Sequence, residues 1–201
     1  MKNLINLMIL LAIQTSAFGQ SYKDWKTFEC NKDCKSSLVF KMKYPSDWIA
    51  EDPDHYGILK KFRPQNIKGP GFGISIRDLK VKGTDKEIKE LLSKSAQYNN
   101  LKNNLDKMAN RYSIISVENV FIDSNYAVIM DYISEISKIS GRESRICRDY
   151  NFVYENYLIT MQAAIIFDGS LDAGQATLKK TMDKYSDIFN KIANSIIIKR
   201  D

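Results

Sequence analysis

The stretch that decides the fold runs from Ser113 to Phe167 and reads "SIISVENVFIDSNYAVIMDYISEISKISGRESRICRDYNFVYENYLITMQAAIIF". It contains four extended segments, separated only by "DSN", "KISGR" and "EN": 113–122, 126–137, 143–154 and 157–167. Connections this short allow antiparallel hairpins and leave no room for the helical crossovers that parallel strands need. The stretch therefore predicts a four-stranded antiparallel meander. Its last segment carries apolar residues on both parities, which predicts a central strand covered on both faces.

Shorter extended segments precede the meander. Strands are predicted at 38–44, from Trp48 to Ala50, in "YGILKKF" (56–62) and in the alternating segment around Ile74. The glycine-rich "RPQNIKGPGFG" before that last strand lacks the Lys-Ser/Thr ending of a phosphate loop and leads into a strand, not a helix. We interpret it as a flexible connection.

Two regions have helical periodicity. A capping box at Thr84 and Glu87 opens the first, which continues as one long helix or as two with a kink near Asn99. The second runs from Asp172 to Asn194 with apolar residues along one stripe, and "SIIIKR" after it predicts a short edge strand. The order of elements predicts the α+β class, with an antiparallel β-sheet packed with helices.

The first residues have the pattern of an export signal. Lys2 gives a positive start, an apolar run covers 4–13, and the small residues Ala17 and Gly19 precede a cleavage point at Gln20. The pattern predicts a signal peptide over 1–19, followed by an N-terminal arm over 20–37 and a single domain over 38–201. We expect a secreted or periplasmic protein with no membrane-spanning segment after cleavage; an uncleaved N-terminal anchor is the alternative. The apolar run is shorter than the roughly 20 residues that a spanning helix needs.

The formal net charge is +6, and the lysines are dispersed among acidic residues. This distribution is typical of a soluble surface. No basic stripe interleaved with aromatic residues is present, so nucleic acid is not an expected partner.

Cys30, Cys34 and Cys147 are the cysteines of the chain. In an exported protein they allow one disulfide and one spare thiol. The local spacing favours a Cys30–Cys34 bridge, worth about 2 kcal/mol in the chain-entropy treatment. A bridge from either of them to Cys147 is the alternative, and its much longer loop is worth roughly 5 kcal/mol. A closed zinc site needs a fourth ligand, so no metal is expected.

Arginines recur at every third position in the third strand of the meander. The strand period of two places Arg142 and Arg148 on one face and Arg145 on the other, which divides the basic patch. Arg148 shares its face with aromatic residues, where a charge needs a partner. Asp131 or Glu135 on the neighbouring strand supplies it. These three residues form either a structural ion pair or, as the alternative, a binding contact.

No motif typical of catalysis or of cofactor binding occurs in the sequence. His55 lies in an acidic turn and is the only histidine, which favours a solvated loop residue over a general base. No nucleophile elbow and no paired histidine ligands are present, so no catalytic residue and no cofactor are expected.

The segment "VFKMKYPSDW", Val39–Trp48, resembles the PsbP-like family. The order of helix, meander and C-terminal helix resembles it too, over roughly 38–198. The resemblance implies an α/β/α sandwich, the fold shared by PsbP, DcrB and a Ran-binding nuclear import factor, and mostly non-enzymatic binding or assembly roles. Tyr44, Pro45 and Trp48 are matched as structural residues. The metal-binding histidines of some plant members have no counterpart set here.

The sequence thus favours an exported, non-enzymatic binding or assembly module for a protein partner or a small ligand. Two other functions stay open: a hydrolase that uses two carboxylates in a sheet-lined cleft, and a basic protein that adheres to the envelope surface. The first requires two carboxylates about 5–9 Å apart. The second requires binding that weakens with salt.

Overall fold

The computed structural model describes residues 24–31, 38–53, 57–79, 84–107, 111–139 and 141–199. These ranges contain ten strands and three helices, in this order along the chain: β1 (Lys26–Cys30), β2 (Phe40–Tyr44), β3 (Trp48–Glu51), β4 (Lys60–Pro64), β5 (Pro70–Asp78), α1 (Asp85–Leu91), α2 (Lys94–Lys107), β6 (Arg111–Ile122), β7 (Asn125–Lys138), β8 (Gly141–Tyr154), β9 (Tyr157–Asp168), α3 (Leu171–Asn194) and β10 (Ile197–Ile198). The predicted α+β class is confirmed.

The main sheet has seven strands in the order β3-β4-β5-β9-β8-β7-β6, and all neighbours are antiparallel. The meander is confirmed, because β6, β7, β8 and β9 pair in succession. Its first turn shows why the hairpin is tight: Asp123 and Ser124 have φ values of 47° and 65°. Two successive residues with positive φ give a two-residue turn whose twist matches that of the flanking strands.

α3 covers one face of the main sheet. Its buried stripe is the predicted one, stepping by four and three through Leu178, Met182, Tyr185 and Phe189. The Phe189 ring lies 6.2 Å from Phe72 on the sheet, centroid to centroid. An amphipathic helix of this kind is stabilised mainly by burying its apolar stripe.

A second, smaller sheet has the order β1-β2-β10 and contributes to the same core. The segment 20–37, interpreted as an arm, therefore contributes a strand: Lys26 to Cys30 pair with β2. The Tyr-Pro-x-x-Trp segment forms the passage between the two sheets. Pro45, which cannot donate a backbone hydrogen bond, follows the end of β2, and the Trp48 amide donates to its carbonyl at 3.1 Å before β3 begins.

α1 and α2 lie against the opposite face of the main sheet, over β6, β7 and β8. Leu92 packs there with Val128 and Val153, and Leu101 contacts the cluster around Tyr132. The predicted helical region is two helices, and the expected kink near Asn99 is wrong. The break falls at Leu92 and Ser93 because Ser93 Oγ accepts the Ala96 amide at 3.2 Å and so caps the second helix.

Two expectations about the sheet need correction. The glycine-rich segment is only partly a connection, because β5 already begins at Pro70 and pairs with β9. β9 is central as predicted, but its second face is not fully covered: Ile166 remains 44% exposed.

No helix in the described ranges has both the length and the apolar composition to cross a membrane. The predicted signal peptide lies outside these ranges.

Candidate functional site

Arg148 and Asp131 form a bidentate ion pair between β8 and β7. They are direct neighbours in the strand register, and Arg148 Nε and Nη2 donate to the two Asp131 carboxylate oxygens at 2.7 and 2.8 Å. The carboxylate raises the pKa of Arg148 above its ordinary value, against the opposing effect of burial. The guanidinium also donates to Ser186 on α3 at 2.6 Å and to Asn190 at 3.3 Å. The pair therefore joins the sheet to the helix that covers it.

Glu135, the other proposed partner of Arg148, has a different position. Its carboxylate accepts the Leu171 amide at 2.6 Å, at the first residue of α3. The helix needs this contact because its N-cap residue, Ser170, makes no side-chain capping bond. A carboxylate at a helix N-terminus is also favoured by the helix dipole. Glu135 thus anchors the start of α3, with Arg142 3.6 Å away as an ion-pair partner.

The three arginines of β8 divide between the faces as the strand period predicts. Arg145 lies on the face opposite to Arg148, where its guanidinium is 3.3 Å from Glu143. Glu143 also binds Lys138. The arginines therefore do not form a common anion clamp.

The face beneath α2 carries a polar cluster that sequence analysis did not single out. Gln162 Nε2 donates to the Tyr132 hydroxyl at 3.0 Å and to Asp149 Oδ1 at 2.9 Å. Burial raises the pKa of Asp149 to about 6, although the bonds from Gln162 and Tyr132 oppose the shift. Burial also raises the pKa of the adjacent Cys147 thiol to about 12. A thiol with so high a pKa is a poor nucleophile, so Cys147 is a packing residue.

Cys147 is a buried free thiol, which removes the alternative bridge from the N-terminal segment to β8. Cys30 lies buried at the end of β1. Its proposed partner Cys34 is outside the described residues, as is His55, so the Cys30–Cys34 bridge stays a prediction. Among the residues described, no group of three His, Cys, Asp or Glu side chains is placed to hold a metal ion.

A groove of about 310 Å³ lies between the loop before β5, the end of β9 and the middle of α3. We call it the α3 groove. Most of its lining residues are apolar, and the others are two lysines and three residues with hydroxyl groups. The lining residues are Ile67, Lys68, Gly69, Pro70, Ile165, Ile166, Phe167, Thr177, Leu178, Thr181, Lys184 and Tyr185. Its volume is at the lower limit of small-molecule sites, which span roughly 300–1,000 Å³.

Backbone contacts hold the loop side of the α3 groove in place. The Ile166 amide donates to the Gly69 carbonyl at 3.3 Å, and the Gln65 amide donates to the Asp47 backbone carbonyl at 3.2 Å. Gly69 has a φ of 112°, which other residues adopt only with strain, and a Cβ there would lie 3.3 Å from the Ile166 carbonyl oxygen. The groove is therefore preformed by the fold.

Phe167 lines the groove, and two glycines make room for its ring. A Cβ on Gly174 of α3 would lie within 2.8 Å of three Phe167 ring carbons. A Cβ on Gly169 would lie 2.7 Å from the same ring. These glycines let the first turns of α3 approach β9 closely, and they fix where Phe167 lies.

The sequence gives no local signal for the α3 groove. Lys68, Phe167 and Lys184 come from three distant segments, and each has an ordinary neighbourhood in the sequence. The groove became visible only once β5 was paired with β9 and α3 was placed over them.

Known proteins identify the fold. No protein-family profile matches the sequence, and no curated protein matches it either. The solution structure of cyanobacterial PsbP (CyanoP) from Synechocystis matches with 17% identity over 90% of this chain and 96% of that one, at a TM-score of 0.61. A mutant of protein Mog1 matches with 8% identity over 86% and 95% of the two chains, at a TM-score of 0.54. At such identities the likeness shows the fold alone, and the chain has the PsbP-like fold that its sequence predicts.

Proposed function

We propose that this protein is an exported, non-enzymatic binding module that holds the apolar part of a small ligand in the α3 groove. The observation that carries the proposal is exposed apolar surface in a preformed concave site. Ile67 is 47% exposed beside the buried Pro70 and Leu178. Concave, largely preformed and mostly apolar sites are the usual form of small-ligand sites.

The placement of the ionisable residues supports binding over catalysis. Asp131 and Glu135 share a face, but they lie about 13 Å apart along β7, since a strand rises ~3.3 Å per residue. Each is engaged, one by Arg148 and the other by the start of α3. Asp149 faces the other side of the sheet. These carboxylates therefore do not offer the pair that a glycosidase needs in one cleft.

The proposed export rests on the signal-peptide pattern of residues 1–19. An exported module with this fold and a ligand groove fits a role in carrying or presenting a small molecule outside the cytoplasm. The dispersed surface charge gives less support to a purely adhesive role.

Titration with phenylnaphthylamine, an uncharged fluorescent probe of apolar sites, tests the proposal. The Ile67→Ser variant should bind the probe roughly five- to tenfold more weakly, because burying the exposed part of an isoleucine contributes about 1 kcal/mol. Thr177→Phe, which fills the groove from α3, should abolish binding.

Two variants serve as matched controls. Ile139→Ser removes an exposed isoleucine that is not part of the groove lining, and Ala176→Phe adds an aromatic ring to α3 outside the lining. Both should bind the probe like the unmodified protein. If the groove variants bind the probe as tightly as the controls do, the α3 groove is not the binding site and the proposal is wrong.

A further inference from the structure

The charges around the α3 groove bear on the class of ligand. Among its lining residues are two lysines, Lys68 on the loop and Lys184 on α3, and none of the lining residues is acidic. The Lys184 ammonium lies 5.5 Å from the centroid of the Tyr185 ring, which keeps the charge beside the lining. Two cations on different elements and no opposing carboxylate make an electrostatic environment that favours an anion.

The rest of the lining favours an aliphatic chain. Accessible carbon surface in the lining comes from Ile67, which is 47% exposed, and from the half-buried Phe167, whereas Ile165 and Leu178 are buried in the core. Thr181 Oγ1 donates to the Thr177 carbonyl at 2.8 Å, so this hydroxyl is turned towards its own helix. The Thr181 hydroxyl is therefore not a free donor for a polar ligand.

The backbone of the groove is poorly suited to a polypeptide. An added peptide strand needs main-chain donors and acceptors along the edge that it joins. Here Pro70 has no amide hydrogen, and the Ile166 amide already donates to Gly69. The α3 side presents a helix, whose backbone groups are bonded internally.

We infer that the ligand of the α3 groove is a small anionic amphiphile, an aliphatic chain that ends in a carboxylate. The chain lies against Ile67 and Phe167, and the carboxylate lies near Lys68 and Lys184. This inference rests on the proposed function, because it assigns the chemical class of the ligand for the same groove.

Competition against bound phenylnaphthylamine tests the ligand class. The competitors are decanoate, decanol with the same chain and no charge, decyltrimethylammonium with the opposite charge, and acetate with no chain. Decanoate should displace the probe at roughly three- to tenfold lower concentration than decanol, since exposed charge contacts contribute modestly. Acetate and the cation should displace it least.

Variants of the two lysines test whether these residues cause the preference for decanoate over decanol. In the Lys68→Gln/Lys184→Gln double variant, decanoate and decanol should compete equally. Lys179→Gln, an exposed lysine of α3 outside the lining, should leave the preference unchanged. Raising the salt concentration should reduce the decanoate preference of the unmodified protein and leave decanol unaffected.

The outcomes separate the two proposals. If the probe binds in the groove but decanol competes as well as decanoate, or the double variant keeps the preference, the ligand class is wrong and the binding function stands. If a leucine-rich acidic peptide displaces the probe better than decanoate does, the occupant is a polypeptide and the inference is overturned. If the probe does not bind in the groove at all, the proposed function fails first.

Discussion

Replacing Arg148 by methionine tests how the sheet and α3 are held together. Methionine keeps much of the apolar stem and removes the charge, so Asp131 loses both of its bonds from the guanidinium. The bonds from Arg148 to Ser186 and Asn190 on α3 are lost at the same time. Asp131 then keeps the Ser116 hydroxyl, at 3.3 Å, as its nearest hydrogen-bond donor.

The expected loss follows from the burial of the pair. The side chains of Arg148 and Asp131 are 19% and 15% exposed. Removing one partner of a buried ion pair costs about 3–5 kcal/mol, because a charge is left buried and uncompensated. Since some solvent reaches both side chains, we expect the lower end, about 3 kcal/mol of unfolding free energy.

Urea denaturation followed by circular dichroism measures this loss, and the chain offers a matched control. Arg63 and Glu51 form a similar bidentate pair at 2.8 and 2.5 Å, but these side chains are 41% and 37% exposed. Arg63→Met should therefore have a much smaller effect, because surface ion pairs are screened by water. The Arg148→Met/Asp131→Leu double variant should regain most of the lost stability, since no charge is left unpaired.

The reasoning is refuted by either of two results. One is an equal loss of stability in the Arg148 and Arg63 variants, which would show that burial does not determine the effect. The other is a double variant as unstable as Arg148→Met alone, which would show that the lost packing, and not the unpaired carboxylate, is responsible.

Three further predictions concern the two faces of the sheet. Burial raises the pKa of Asp149 to about 6, so the folded state favours the protonated carboxyl. The free energy of unfolding should therefore fall by about 2 kcal/mol as the pH rises from about 4 to about 6, and then level off. In urea denaturation measured across this pH range, Asp149→Asn should remove this dependence. Gly174→Ala should lower both stability and phenylnaphthylamine binding in spite of a helix-propensity gain of about 1 kcal/mol, because the added methyl overlaps the Phe167 ring; a more stable variant would contradict this. Cys147 should resist iodoacetamide in the native protein and react after unfolding, as mass spectrometry of the labelled chain will show, and rapid native labelling would contradict its burial.

Most of the fold was predictable because its signals are local. The meander is set by alternation within each strand and by short turns, and its four observed strands differ from the predicted ends by at most two residues. The Arg148–Asp131 pair was also predictable, since strand parity alone placed the guanidinium among aromatic residues. A buried charge on a known strand has few candidate partners.

Non-local features were missed for a physical reason. β1 is a five-residue strand whose sequence, "KTFEC", has no strong alternation, and it is stabilised by pairing with β2 across the intervening residues. Glu135 was offered as an alternative to Asp131 for pairing with Arg148, but its carboxylate meets the start of α3, which lies far along the chain. The α3 groove is formed by three separate segments, and no single segment has a sequence pattern that predicts it.

The small sheet has a consequence for how the chain reaches its native state. β2 lies between β1 and β10, so its two neighbours come from opposite ends of the folding domain. Closing such a long loop costs chain entropy and slows folding, because the stabilising contacts form only after the distant segments meet. Until Ile198 has emerged from the ribosome, the edge of β2 that β10 covers stays unpaired, and Phe40 lacks that neighbour.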